Sequence, residues 1–102
     1  MEIEIDLENA NRGDMVLPIL GEALGYTKEN YWGKNWDAFA DILGYLNTGG
    51  IYGTNEIILM PVVLLIRNFQ DFKHYAPNDF AILTDILNDR RKKNSDFDYQ
   101  FF

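Results

Sequence analysis

Pro61-Val62-Val63-Leu64-Leu65-Ile66 is a short, β-branched and nearly uncharged run, and it limits the possible folds more sharply than any other segment. Its length suits a strand, and the absence of polar alternation predicts a central strand buried on both faces. A membrane span needs about 20 apolar residues. The longest window here, Ile57 to Ile66, is interrupted by Pro61 and closed by Arg67, so membrane spanning is excluded.

A central strand needs neighbours, and the chain offers one on each side. Glu2-Ile3-Glu4-Ile5-Asp6-Leu7 alternates polar and apolar residues with period two, the pattern of a half-buried first strand. Phe97 to Phe102 reads as the last strand. The stretches between them have helical spacing. Leu17, Leu20, Ala23 and Leu24 predict a first helix capped by Asn11 or Asp14, with Pro18 in its first turn and Gly25 as a left-handed stop. Trp36, Phe39, Ala40, Leu43 and Leu46 form one stripe of a second helix over 36–46, with Asn35 as its cap. Gln70 to Tyr75 is a short turn or helix, and Pro77-Asn78-Asp79 opens a last helix with Phe80, Leu83, Ile86 and Leu87 inward. That helix ends in Arg90-Arg91-Lys92-Lys93, which complements the negative pole of a helix C-terminus. Strands separated by helices predict an α/β fold with a parallel sheet and helices packed against it. At 102 residues it is expected to be a single compact domain over 1–102.

Charge narrows the partner. Sixteen acids against nine bases leave a formal charge of −7, a sign that repels nucleic-acid phosphates and attracts basic surfaces. Met1 to Asp41 holds most of the excess, with Arg12, Lys28 and Lys34 its only bases. Acidity for solubility alone would give the same count, so charge by itself does not choose between these readings. The chain has no cysteine, which excludes a disulfide framework and a thiolate metal site. Its acidic, alternating start is unlike a secretory signal, and the expected compartment is the cytoplasm.

Catalytic motifs are missing. There is no Gly-rich phosphate loop, no nucleophile elbow and no paired histidine motif; His74, the one histidine, reads as an ordinary surface residue. No catalytic residue, metal site or cofactor is expected. Two carboxylates do stand out, because Asp37 and Asp41 at i and i+4 share a helix face opposite the apolar stripe, with β-carbons about 6 Å apart. Three readings remain open for them. They are a catalytic pair, which needs an apolar pocket to split their pKa values. They are solvated surface residues, with Asp37 favoured by the helix N-terminus. Or they are a docking face that accepts charge-assisted hydrogen bonds from Arg or Lys of a basic partner, with Tyr31 and Trp32 as aromatic contacts beside them.

The segment Asn30-Tyr31-Trp32-Gly33-Lys34-Asn35-Trp36-Asp37-Ala38-Phe39-Ala40-Asp41-Ile42-Leu43 resembles the signature of the barstar family of ribonuclease inhibitors. It reads as aromatic, aromatic, Gly, any residue, Asn, apolar, Asp, Ala, apolar, any residue, Asp. Pro61 to Phe69 is similar to the family's central strand and its exit, and the likeness covers essentially the whole chain. The resemblance implies a three-stranded parallel sheet and a proteinaceous ribonuclease inhibitor without enzymatic activity. It would act one to one, or serve as a toxin-immunity protein, by occluding the nuclease active site with the loop 29–35 and the acidic helix 36–46. The implied partner is a basic microbial ribonuclease or ribonuclease toxin domain, with the free chain a monomer. Tyr31, Gly33, Asn35, Asp37 and Asp41 match the family's contact positions. Asp41 would imitate an RNA phosphate, with Asp37 beside it, while Tyr31 stacks and Gly33 allows close backbone approach. Trp36 is bulkier than the family's aliphatic residue, Ala40 replaces a large aromatic, and Ile51 to Met60 makes a longer connection, which implies a surface suited to a different nuclease. For the family's acidic contact on the last helix, Asp85 and Asp89 are the nearest candidates, and neither is among the expected site residues. A general interaction module with the same fold and a non-nuclease partner is the alternative.

Overall fold

The computed structural model describes residues 1–26, 32–46 and 60–102. Within them the element order is β1 (Glu2–Asp6), α1 (Gly13–Ala23), α2 (Trp36–Gly44), β2 (Val62–Arg67), α3 (Gln70–Tyr75), α4 (Pro77–Lys93) and β3 (Phe97–Phe101). The three strands form one parallel sheet in the order β1-β2-β3, so the uncharged run is the central strand, as its composition predicts. Ile3 is in register with Leu64 and Leu64 with Tyr99, while Ile5 pairs with Ile66 and Val62 with Phe97. These side chains share one face and are buried.

The other face differs from the expectation of a strand covered on both sides. Val63 and Leu65 are only half-buried there, flanked in register by Glu2 and Glu4 on one side and Asp98 and Gln100 on the other. The physical reason is lateral: charged and polar neighbours on both edge strands keep that face open to water, and Arg67 approaches Glu4 at 3.8 Å across it.

Helices supply the rest of the core. Val16, Leu17 and Leu20 of α1, Phe39, Ile42 and Leu43 of α2, Phe72 of α3, and Leu83 and Leu87 of α4 are all buried. Burying side chains of this size contributes about 1.5–3 kcal/mol each relative to exposure. Helix α1 begins one residue after Arg12, whose side chain makes no capping bond, so neither Asn11 nor Asp14 is the cap. Asp14 lies in the first turn instead and pairs with Arg12 at 3.1 Å. Pro18 therefore falls in the second turn, on the exposed side of the helix. At the far end Gly25 has φ 93°, the left-handed stop expected of it. Among the described residues no helix is long and apolar enough to cross a membrane.

Candidate functional site

Helix α2 is built from its cap upward. Asn35 has an extended backbone (φ −132°, ψ 171°), and its Oδ1 accepts from the Ala38 amide at 2.8 Å while its carbonyl accepts from the Phe39 amide at 2.9 Å. The side-chain bond satisfies one of the donors orphaned at a helix start, and the carbonyl bond is the first regular bond of the helix. The turn before it is tight. A Cβ on Gly33 would meet Asn35 Nδ2 at 3.0 Å and Ala38 Cβ at 3.2 Å, and Lys34 takes a left-handed φ of 50°. Gly33 thus serves close approach within the chain itself.

The inward face of α2 consists of Ala38, Phe39, Ile42 and Leu43. This is rotated from the predicted stripe: Ala40 is exposed, and Ala38 and Ile42 take the inner positions. The rotation follows from size, because the larger Ile42 gains more from burial than Ala40 would. Asp37 and Asp41 both point outward and are exposed, as the i, i+4 spacing predicts.

Trp32 is the clear correction. Its indole is 3% exposed, packed against Gly21 of α1, with its ring 6.3 Å from that of Tyr26. A bulky ring beside a helix glycine gains more from filling that space than from facing water, so Trp32 anchors the turn from behind and offers no aromatic surface. Tyr31 and the first part of the 29–35 loop lie outside the described residues.

Between α2 and α4 runs a groove of about 390 Å³. Ala40 and Asp41 form one wall, and Asp85, Asp89, Arg90 and Lys93 form the other. Sequence reading left Asp85 and Asp89 outside the site, although the signal was present: they repeat on α4 the i, i+4 spacing of Asp37 and Asp41. What the sequence could not show is that Asp85 and Asp89 line the same groove as Asp41. Among the described residues no three metal-ligating side chains converge, and Asp6, whose pKa is held low, is at the end of β1. The arrangement is one of fixed, solvated negative charge on a capped helix, which suits a cationic partner surface.

The family model described as Barstar (barnase inhibitor) matches the chain over residues 1–102. The chain belongs to the barstar family. Members of the barstar family inhibit ribonucleases and are not themselves enzymes, and the three-stranded parallel sheet with packed helices agrees with that fold. No curated protein matches the chain significantly.

Proposed function

We propose that this barstar-family chain inhibits a basic ribonuclease by binding it one to one and closing its active site with α2 and the turn before it. The observation that carries the proposal is that Asp37 and Asp41 are both exposed on the outer face of a capped helix. A ribonuclease holds RNA phosphate with Arg, Lys and His, and a carboxylate presents comparable acceptors for charge-assisted bidentate hydrogen bonds. Asp41 is the phosphate mimic and Asp37 its neighbour. Asp85 and Asp89 extend the negative field across the groove. Gly33 and Asn35 shape the turn, Tyr31 is retained as a contact from the family signature, and Trp32 supports the loop from inside.

Barnase is the natural first probe, since the family takes its description from barnase inhibition. Titration against a panel of small basic microbial ribonucleases, barnase among them, should abolish RNA cleavage by the nuclease that fits at one equivalent, with association fast at low salt and slowing as salt rises. Asp41→Ala should lose at least about 3 kcal/mol of binding, as expected of a desolvated charged hot spot. A loss under about 0.5 kcal/mol would remove Asp41 from the interface. Recovery of a non-nuclease partner by the whole chain, with no nuclease inhibited, would favour a general interaction module instead.

A further inference from the structure

Three helices begin around one carboxylate. Asp79, half-buried in the first turn of α4, accepts a hydrogen bond from Trp36 Nε1 at 3.1 Å, and Trp36 is the first residue of α2. The same carboxylate presses on Gly13, the first residue of α1: a Cβ there would lie 2.7 Å from Asp79 Oδ2 and 2.9 Å from Cγ, so the glycine makes room for it. A negative group in the first turn of α4 and against the first residue of α1 sits near two positive dipole ends, while its link to α2 is the indole hydrogen bond.

The Trp36 ring is constrained further. It stacks on Phe72 of α3 at 6.5 Å and 23°, and meets Phe39 edge-on at 6.2 Å and 80°. Phe72 sets the plane of the indole and the bond to Asp79 sets its rotation within that plane. At the other end of α2, Arg90 of α4 comes within 3.6 Å of where a Cβ on Gly44 would sit. Helix α4 therefore holds the first residue of α2 through its side chain and brings a base to the last residue of α2. A helix of nine residues has little rigidity of its own, so its direction depends on such anchors.

We propose that Asp79 is a positioning residue for the acidic face: acting through Trp36, it fixes the first turn of α2 and with it the direction in which Asp37 and Asp41 leave the helix. Its consequence for binding rests on the inhibitor reading; its effect on α2 does not.

The test uses the full chain with Trp36→Phe, which keeps an aromatic ring of smaller size and removes the donor, and with Asp79→Asn and Asp79→Leu, of which only the first keeps an acceptor oxygen. Amide hydrogen exchange of the free protein is read at Ala38 and Phe39, whose amides close the first turn of α2, and at Leu64 and Ile66 in β2 as controls for the fold. Trp36→Phe and Asp79→Leu should speed exchange at Ala38 and Phe39 roughly two- to tenfold, the range set by one net hydrogen bond, while Asp79→Asn stays near wild type. Equal protection in Trp36→Phe and wild type, or no difference between Asp79→Asn and Asp79→Leu, overturns the proposal. Against barnase, Trp36→Phe should raise the dissociation rate by a similar factor and leave the salt dependence of association unchanged, because no charge is altered. A dissociation rate equal to wild type reduces Asp79 to a purely structural role. A wild-type chain that inhibits no small basic ribonuclease, barnase included, counts against the inhibitor reading and leaves the exchange result standing.

Discussion

Lys93 Nζ lies 3.0 Å from Asp89 Oδ2, one helical turn back along α4, on the wall of the groove that also carries Asp41. The acidic face is therefore not uniformly negative: one of its carboxylates is already engaged by a neighbour in the free chain. Both side chains are more than half exposed, so the pair contributes little to stability. Lys93→Met should change the free energy of unfolding by less than about 0.5 kcal/mol. It should nevertheless accelerate association with barnase at low ionic strength, with the difference vanishing near 1 M salt, where the screening length falls to about 3 Å. Stopped-flow association across a salt series decides it; an unchanged rate at low salt would exclude Asp89 from the steering field.

Gly21 and Gly44 allow a sharper test of how the loop before α2 is anchored. Both are helical, so alanine at either would ordinarily stabilise by up to about 1 kcal/mol. A Cβ on Gly21 would lie 2.5 to 2.8 Å from three atoms of the Trp32 ring, whereas one on Gly44 meets, among the described residues, only Arg90 Nη1 at 3.6 Å. The two substitutions should have opposite signs in urea denaturation: Gly21→Ala destabilising by about 1–3 kcal/mol through overpacking, Gly44→Ala neutral or stabilising. A stabilised Gly21→Ala would show that the Trp32 ring is free to move away.

Local patterns carried much of this architecture. The alternation of Glu2 to Leu7 and the uncharged run at 61–66 identify the sheet, and the Asn35 cap and the outward pair Asp37 and Asp41 follow from spacing within a single helix. What spacing could not reveal depends on which surfaces meet. Trp32 reads as an aromatic beside acids until Gly21, eleven residues earlier, is seen to leave a place for its ring. Asp79 reads as an ordinary first-turn acid until Trp36, 43 residues away, donates to it. Likewise the half-exposed state of Val63 and Leu65 is set by Glu2, Glu4, Asp98 and Gln100 on other strands, and nothing within β2 encodes it.

Asp6 gives a pH dependence with a definite sign. Its carboxylate accepts from Asn68 Nδ2 at 2.8 Å and from the Glu8 amide at 2.9 Å, joining the exits of β1 and β2. The Asn68 bond first, then the Glu8 bond and the nearby Arg67 charge hold its pKa below the ordinary 3.8. A depressed pKa in the folded state means stability that is fully present above the unfolded value and lost as pH falls through the folded one. Asp6→Ala should therefore be destabilising at neutral pH, with its deficit narrowing only below pH 3.8. Paired denaturation curves at pH 7 and in strong acid measure this; a deficit that grows with acidity would reverse the assignment.

Asp37 and Asp41 set the demands of folding against those of binding. Like charges one turn apart on an exposed helix repel by about 0.2–0.5 kcal/mol, and α2 presents both to water without an ion pair between them and any described base. Removing one charge should relieve that repulsion. Asp41→Asn keeps the size of the side chain and should raise the stability of the free protein by a few tenths of a kcal/mol. The same change removes half of a charge-assisted bidentate contact, so binding to barnase should weaken by about 2–3 kcal/mol or more. Opposite signs are the signature of a residue kept for its partner at the expense of the fold. Thermal unfolding and titration calorimetry on one preparation compare the two directly; a variant that lost stability and affinity together would mark Asp41 as part of the scaffold.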